Sequence, residues 1–506
     1  NMTINDYSGW PYYYYGKLQS LTLGSGTTGA PVPLTIGTGG ADKLEILSTE
    51  VLTSLEAPGL TTVSGDVLIT GLNRSDSLAW LENLSGLENL ETVEGYLAIS
   101  NCPKLASLFG VNGSLTSLTE HLQINNNSLL ADLSGLTNLE TLGIQASGTM
   151  GLYLEANPAL TGLSGLENLL SVTGKVSIIN CDNVAFTSLA GLSSLGSGVG
   201  SVIGGLEITG MEWLNTLDGL TNLAGIISGP VFISGNPWLS SVATLGAVTE
   251  ITGDLTLQSL PQLVSIALPS LQTVGGTLKI SYCDFVPDLN ALTALETVSG
   301  NIDIIGNADL MDLGDMSTLG LCNLVTVGGY LNLSNNDVLH DITALGSLSV
   351  IGSNLEAESK NGYLKLYQNP QLGSLLGLHN ITEIRGNLTV DGCGTTAGYE
   401  LTDLSGLNAV QTINGAVRIQ NNNKLTAFPA MPNLATITST LYLYNNGASS
   451  TGITSLGFTS LNQVSSVTIQ QNYFNSNQFA DNAAVQAAAA GWNGASQSIS
   501  SNYFIP

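Results

Sequence analysis

The amino-acid sequence predicts a mainly β protein, a right-handed parallel β-solenoid of about sixteen coils. Three observations predict this fold class. A short unit recurs along the chain with a mean period of roughly 27 residues. Two aliphatic residues alternate within each unit, and an asparagine or a small residue follows most of these pairs. Because a unit of this length cannot bury its apolar face alone, neighbouring units must stack on one another.

The paired aliphatics define the main strand of each unit. In "GYLAISNC" (95–102) and "GYLNLSNN" (329–336), Leu or Ile occupies two positions separated by one residue. The same Leu, Ile or Val pair occurs in all sixteen units, from Val67 and Ile69 to Val467 and Ile469. Since successive side chains of a strand point to opposite faces, both aliphatics are predicted to face inward.

The third residue after the second aliphatic is Asn or Cys in thirteen of the sixteen units. An inward-pointing Asn can bond backbone groups that the following turn leaves unpaired, and stacking repeats the arrangement into a ladder. A thiol is small enough for the same buried place. The predicted ladder residues are Cys102, Asn127, Asn157, Cys181, Asn236, Cys283, Asn307, Asn336, Asn369, Cys393, Asn422, Asn446 and Asn472; Leu72, Met211 and Leu260 complete the series.

The remainder of each unit predicts the domain organisation. A turn and two shorter apolar stretches ending in Gly follow each main strand, as in "LSGLENLETVEG" (84–95). The solenoid is assigned to 43–472, where sixteen coils about 4.8 Å apart would form a rod of roughly 75 Å. Residues 1–42 carry no clear coil and are assigned to an N-terminal cap or arm. Residues 473–506 are assigned to a C-terminal cap, in which an Ala-rich run before Gly491 predicts one short helix with a glycine C-cap.

Composition excludes two classes of partner. The chain has 506 residues, with 38 Asp and Glu against 11 Lys and Arg, for a net charge of −27. Nucleic acids and anionic membranes bind through clustered bases, so we expect neither as a partner. No run of about 18 apolar residues predicts a membrane-spanning helix. The chain begins at Asn1 rather than Met, which fits removal of a signal peptide, so we expect an extracellular or cell-surface location.

The repeat resembles a known family. The string L-x-L-x-x-N/C is the core of the leucine-rich repeat, and the longer forms "ISGNPWLSSV" (233–242) and "EANPALTGLSGLENL" (155–169) are similar to the receptor L domain. This family includes ligand-binding lobes of insulin-type and epidermal-growth-factor-type receptors, and similar coils occur in GPI-anchored fungal wall proteins. The resemblance covers about 43–472 and implies an extracellular interaction or structural role. The chain has more coils than the receptors and no flanking Cys-rich module.

The five cysteines are expected to be free. No two ladder cysteines occupy successive coils, and coils two apart are separated by about 9.5 Å, which exceeds the Cα distance of a disulfide. Buried, inert thiols are therefore favoured over metal ligands or nucleophiles. Cys322, in "GLCNL" (320–324), lies outside the ladder; an exposed position is one interpretation, and its role is left open.

We predict no catalytic residue, metal ion or cofactor. "GSGTTG" (24–29) matches G-x-G-x-x-G, but the following "APVP" cannot begin the helix that a dinucleotide site needs. Asp337, His340 and Asp341 could meet a cation, although loop polarity explains them more simply.

An enzyme acting on polysaccharides is the alternative that needs the most explicit test. Its site would require clustered acids from adjacent coils. The outward position between the two aliphatics carries no acidic stripe, only a modest charged zone at Lys279, Asp303 and Lys365. This row is therefore interpreted as a solvated or binding surface.

Two further features concern the surface. The number of N-x-S/T sequons is close to the chance expectation, so their count carries no conclusion, but outward sequons of a secreted eukaryotic protein would carry glycans. They are Asn1, Asn73, Asn83, Asn112, Asn126, Asn332, Asn380 and Asn387. In "WPYYYY" (10–15), five aromatic rings either cover the first coil or form an assembly contact. These residues are Trp10, Tyr12, Tyr13, Tyr14 and Tyr15.

The leading functional hypothesis is an extracellular structural or adhesive repeat protein. Unlike ends that meet head to tail would build a filament, so the expected partner is a second copy of the chain, another extracellular protein or a glycan. A ligand-binding, receptor-like ectodomain is the alternative, and a polysaccharide-active enzyme is the third hypothesis.

Overall fold

A computed structural model describes residues 2–5, 20–22, 34–36, 43–47, 54–56, 60–71, 81–84, 87–108, 114–146, 148–198, 200–315, 317–353, 361–428, 431–492 and 496–505. The chain divides into two compact units, Asn1–Val248 and Thr249–Pro506.

The first unit is built on one series of parallel main strands. Leu97 lies opposite Val67 on one side and Leu122 on the other, so equivalent aliphatics of successive coils stack. All three side chains are fully buried. The main strands are Met2–Asn5, Leu44–Leu47, Val67–Thr70, Leu97–Ser100, Leu122–Asn125, Met150–Glu155, Lys175–Ile179, Leu206–Thr209 and Val231–Ser234. The predicted mainly β, parallel solenoid is confirmed.

A second series of shorter strands closes the other side of these coils. It forms a parallel sheet of six strands, in which Val93 lies opposite Val63 and Leu118. Its strands are Leu34–Ile36, Leu60–Val63, Thr92–Val93, Ser117–Leu118, Thr141–Leu142 and Ser171–Val172. Further strands are Ala224–Ile227 and the parallel pair Ser20–Thr22 and Ser54–Glu56.

The second unit repeats the same plan. Its main strands are Leu255–Gln258, Leu278–Ser281, Ile302–Ile305, Leu331–Ser334, Leu364–Tyr367, Leu388–Asp391, Val417–Gln420, Thr436–Tyr444, Gln463–Gln470 and Ser496–Ser500. The second series comprises Ala247–Ile251, Thr273–Val274, Thr297–Val298, Thr326–Val327, Val350–Ile351, Glu383–Ile384 and Thr412–Ile413. Tyr473–Asn475 pairs in parallel with Tyr503–Ile505.

Short 3-10 turns occupy the "SGL"-like motifs, where adjacent coils approach closely. A Cβ added to Gly377 would lie 1.7 Å from the carbonyl oxygen of Ile342, and one added to Gly406 would lie 1.8 Å from that of Leu375. Glycine is therefore required by the contact between coils. The turns are Ser134–Leu136, Ala190–Leu192, Ala243–Leu245, Gly320–Asn323, Thr343–Ser347, Leu376–Leu378 and Ser405–Leu407.

Parallel pairing extends beyond the sixteen predicted units at both ends. Met2–Asn5 pairs with Leu44–Leu47, which in turn pairs with Val67–Thr70. The segment 1–42, which carries no clear coil in the sequence, thus contributes Met2–Asn5 to this pairing. Ser496–Ser500 pairs with Gln463–Gln470, within the segment assigned to the C-terminal cap. Its first inward position holds Gln497 opposite Val467, so the aliphatic pattern did not identify it.

The predicted C-terminal helix is present as α1, Asn482–Ala488. Asp481 caps its N-terminus by accepting a hydrogen bond from the Ala484 amide at 2.9 Å. The C-cap is Ala489, with a helical φ of −87°, so the predicted glycine cap is wrong. None of the helices in the described segments has the length and apolarity needed to cross a bilayer.

Candidate binding face and the ladder beneath it

Buried asparagines form a column beneath many of the turns that follow the described main strands. The Asn336 Oδ1 accepts from the Asn307 amide at 3.1 Å, and the Asn336 Nδ2 donates to the Ile304 carbonyl at 3.0 Å. The Asn336 amide donates to the Asn369 Oδ1 at 3.1 Å. One side chain thus satisfies two backbone groups of the preceding coil and fixes the distance between coils.

The same bond joins successive rungs within each unit. In the first unit Asn127, Asn157 and Asn236 each accept from the backbone amide of the preceding rung, at 2.9–3.0 Å. In the second unit the corresponding acceptors are Asn307, Asn336, Asn369, Asn422, Asn446, Asn472 and Asn502, at 2.9–3.2 Å. Asn502 is a rung that the sequence pattern missed.

Cysteine occupies a rung by making weaker versions of the asparagine bonds. The Cys283 Sγ lies 3.7 Å from the Leu257 carbonyl, which is equivalent to the Ile280 carbonyl that the Asn307 Nδ2 contacts in the next coil. Burial raises the pKa of the Cys102, Cys283 and Cys393 thiols to about 12, so they stay protonated and unreactive.

All five cysteines are free. Cys181 is also buried, and its amide donates to the Met211 sulfur at 3.5 Å. Cys322 is 4% exposed within Gly320–Asn323, so the interpretation that it is exposed is wrong.

The residue before each described rung adopts a left-handed backbone conformation. Its φ is 56° at Asn101, 55° at Tyr282, 68° at Gly306 and 57° at Asn335. Asn and Gly tolerate this conformation best, which explains why they are frequent there. The sequence carries this signal in "SNC" (100–102), "IGN" (305–307) and "SNN" (334–336), where Asn or Gly precedes the rung.

The outer surface of the main sheet in the second unit carries the strongest candidate for recognition. We call it the tyrosine face and define it by Asp303, Tyr330, Asn332, Tyr363, Lys365 and Tyr367. The rings of Tyr330 and Tyr363 stack with centroids 4.2 Å apart and planes 10° from parallel. The Lys365 Nζ lies 4.8 Å above the centre of the Tyr367 ring, a cation–π arrangement.

Asp303 organises this face. Its Oδ2 accepts from the Tyr330 hydroxyl and its Oδ1 from the Asn332 Nδ2, both at 2.8 Å. Burial, assisted by the bond to Asp303, raises the pKa of Tyr330, so the phenol remains a hydrogen-bond donor. Each oxygen of the Asp303 carboxylate therefore accepts a hydrogen bond from a neighbouring side chain, which fixes its orientation.

A second polar cluster lies further along the same sheet. Asp391 is 5% exposed and accepts from the Gln420 Nε2 at 2.6 Å and the Asn421 Nδ2 at 2.7 Å. Tyr442 and Tyr444 stack with their ring centroids 5.7 Å apart. The outer surface therefore alternates aromatic and amide-rich zones.

The main-sheet surface of the first unit combines charged side chains with one stacked ring pair. Lys175 forms an ion pair with Glu207 at 2.6 Å, and the Ser177 hydroxyl donates to the same carboxylate at 3.1 Å. The Tyr153 hydroxyl donates to Glu155. Tyr96 and His121, which precede the first inward aliphatic of adjacent coils, stack with ring centroids 4.7 Å apart and planes 26° from parallel.

The three residues considered for a cation do not form a ligand set. The His340 Nδ1 lies 3.0 Å from the Val338 carbonyl, and the Asp341 Oδ1 accepts from the Thr343 amide at 2.7 Å. Within the part of the chain that the structure describes, no group of three or more His, Cys, Asp or Glu residues is arranged to hold a metal ion.

The sequons occupy dissimilar positions. Asn126 and Asn380 are exposed, whereas Asn83 and Asn387 are half-buried. Asn332 is 7% exposed, and both ends of its amide are engaged, by Asp303 and by the Ser334 hydroxyl. It has no room for a glycan in the folded sheet. The described residues do not include Asn1, Asn73, Asn112, Trp10, Tyr12, Tyr13, Tyr14 and Tyr15, the "GSGTTG" segment or Leu72.

These features define a class: a parallel β-solenoid with internal asparagine rungs and a polar, aromatic outer face. Residues 380–482 match the family model described as Receptor L domain, which confirms the predicted resemblance for this segment.

Two fungal proteins are similar to the chain over longer stretches. The Sporulation-specific protein 22 of Saccharomyces cerevisiae is 28% identical over 257 residues, covering 48% of this chain and 50% of the yeast protein. The Cell surface GPI-anchored protein of Arthroderma benhamiae is 26% identical over 313 residues, covering 59% of this chain and 73% of that protein. The alignment thus spans half the length of the first relative.

Proposed function

We propose that the chain is a structural or adhesive protein of the cell surface whose tyrosine face binds neutral glycans. The observation that carries this proposal is the stacked Tyr330–Tyr363 pair beside Asp303 and Asn332. Aromatic rings pack against the C–H faces of sugars, while the Asp303 carboxylate, whose oxygens each have a second lone pair, accepts from their hydroxyls. The ladder supports this role, since it holds the rings on a rigid sheet and little conformational entropy is lost on binding.

The location is proposed on separate grounds. The similarity to the Arthroderma benhamiae protein, described as a cell surface GPI-anchored protein, supports an extracellular or surface position. Antibody labelling of intact, unpermeabilised cells tests it, and staining that appears only after permeabilisation would contradict it.

Sedimentation with insoluble neutral polysaccharide particles tests the binding face. A Tyr363→Ala variant removes one ring of the stacked pair, and we expect the apparent affinity to fall about two- to twelvefold, because aromatic pairs contribute about 0.5–1.5 kcal/mol beyond area burial. Tyr503→Ala is the matched control, since Tyr503 is 49% exposed and also stacked, on Tyr473, away from the face. Equal losses in both variants would refute the assignment of the face.

We propose binding without catalysis. Asp303 and Asp391, two carboxylates of this sheet surface, are already held by amide and hydroxyl donors, which supports a positioning role. Incubation with acidic and neutral polysaccharides, with and without calcium, is expected to release no new sugar ends. Reproducible release that is lost in an Asp303→Asn variant would overturn this proposal in favour of an enzyme.

Head-to-tail assembly and receptor-like ligand binding stay predictions. Negative-stain microscopy of the purified chain at high concentration tests the filament, since single particles alone would contradict it. A receptor role predicts saturable binding of a soluble protein ligand, whereas the adhesive role predicts retention on insoluble glycan.

A further inference from the structure

A groove in the second unit lies away from the tyrosine face, on the turn that follows the ladder. The third residue after each rung points inward, as Leu310 and Leu339 do with no exposed surface. The second and fourth residues after each rung therefore point outward, and those of adjacent coils lie side by side. Phe285, Met311 and His340 line a concavity of about 380 Å³ in this way.

An insertion closes one side of this groove. Leu401 follows its rung, Cys393, by eight residues, whereas Leu372 follows Asn369 by only three. The extra segment is tied down by hydrogen bonds from the Thr396 amide to the Pro370 carbonyl at 2.9 Å and from the Leu401 amide to the Gly394 carbonyl at 3.1 Å.

The inserted segment carries a ring to the groove wall. The Tyr399 ring centre lies 5.3 Å from that of His340. An ordered insertion that adds an aromatic wall to one groove enlarges the contact surface available to a ligand.

The groove exposes more apolar surface than packing requires. Phe285 is 49% exposed, Met311 42% and Tyr399 40%. Adjacent large apolar side chains at this exposure are typical of a surface that a partner covers.

Carboxylates precede and follow this apolar row along the coils. Asp284 and Asp337 come directly after their rungs. On the other side, Asp288, Asp312 and Asp341 lie in register on successive coils. Each of these three accepts a backbone hydrogen bond through one oxygen only.

The sequence contains no Lys or Arg from 280 to 359, and His340 is the one basic side chain among the residues that line the groove. The groove lining thus combines exposed apolar side chains with Asp309, and further aspartates precede and follow these lining residues along the chain. Charge complementarity therefore selects a cationic ligand with apolar side chains.

We propose that this groove binds a short extended segment of a partner protein in which apolar residues alternate with Lys or Arg. The coils from Cys283 to Asn369 span three intercoil spacings, about 14 Å, which accommodates roughly four or five residues of extended chain. Apolar side chains would pack on Phe285 and Met311, while the cations would face the aspartates. This proposal does not depend on glycan binding by the tyrosine face.

Fluorescence anisotropy with the full chain tests the proposal. The probe is a fluorescein-labelled peptide of seven residues in which Lys alternates with Leu, Phe and Leu. A second peptide keeps every Lys and replaces the apolar residues by Ala, and a third keeps the apolar residues and replaces Lys by Ser. At 0.15 M salt we expect the first peptide to bind at least tenfold more tightly than either of the others. If the second peptide, made of Lys and Ala, binds as tightly as the first, the proposal is overturned, since this would show only general attraction to an acidic protein.

Two variants localise the binding. Phe285→Ser is expected to weaken binding of the first peptide about tenfold. Its matched control is Val184→Ser, because Val184 is 66% exposed and belongs to the first unit. Both are surface changes, so circular dichroism is expected to be unchanged. Unaltered affinity in Phe285→Ser, or an equal loss in Val184→Ser, would overturn the assignment to this groove.

Discussion

Removing one ladder side chain should destabilise the coils on either side of it by a calculable amount. In an Asn336→Ala variant, the Ile304 carbonyl loses its donor and the Asn307 amide loses its acceptor. Asn336 has no exposed surface, so water cannot readily replace the lost bonds. Each buried, unpaired backbone group costs about 1–3 kcal/mol. We therefore expect a loss of about 2–6 kcal/mol in local stability.

Two further variants make this expectation specific. Asn336→Cys should cost less than Asn336→Ala, because the native Cys283 thiol still approaches the equivalent carbonyl at 3.7 Å. Asn335→Gly is the adjacent control. Asn335 is exposed and has a φ of 57°, which Gly adopts without strain. Its effect should stay within about 0.5 kcal/mol.

Hydrogen exchange followed by mass spectrometry is the appropriate assay, because stability in stacked repeats is a sum of local terms. A loss of about 3 kcal/mol corresponds to roughly 150-fold faster exchange in fragments that contain 302–307 and 331–336. The ladder reasoning is refuted if the Ala variant exchanges like the wild type, or if Cys and Ala are equally damaging.

Three other predictions concern the same core. The ladder thiols should resist alkylation at pH 8 in the folded chain and react after denaturation. Because the folded pKa of Cys283 is raised to about 12, the thiol ionises at lower pH in the unfolded chain. The free energy of unfolding should therefore fall as the pH rises above about 9. Rapid labelling of native Cys283 would contradict this. Gly406→Ala should cost more than about 2 kcal/mol through the clash of its Cβ with the Leu375 carbonyl. Gly162→Ala should change the unfolding midpoint little, because a Cβ added there has no other atom within 4 Å. Similar midpoints for the two variants would argue against close contact between coils. Burial lowers the pKa of His121, so the unfolded state takes up the proton first and the free energy of unfolding should fall as the pH drops through about 6.5. If this pH dependence is unchanged in His121→Gln, His121 is excluded as its cause.

The sequence was informative wherever one coil contained the whole signal. The two inward aliphatics and the rung lie within six residues, so each unit could be recognised without knowing its neighbours. The predicted fold class follows from this local pattern. Strands that lack part of the pattern were missed, as with Gln497 in the first inward position of Ser496–Ser500.

The candidate site was less predictable, because it depends on register between coils. The outward position between the two aliphatics predicts that Asp303 and Lys365 lie on the surface of the sheet. Tyr330 and Tyr363 precede the first aliphatic and lie outside this pattern. Their repeated "GYL" context was a usable signal. Their stacking was not predictable, because 33 positions separate them and the coil between 331 and 364 is longer than its neighbours.

The ladder links the core to both proposed surfaces. Its hydrogen bonds fix many of the turns after the described main strands, so the residues just before and just after those turns recur at similar spacing on neighbouring coils. Tyr330 and Tyr363 meet before the turn, and Phe285 and Met311 line the same groove after it. Outward residues can vary without disturbing the inward rungs. Substitutions on the two surfaces should therefore have additive effects on stability, whereas substitutions of adjacent rungs, which share hydrogen bonds, should be strongly coupled.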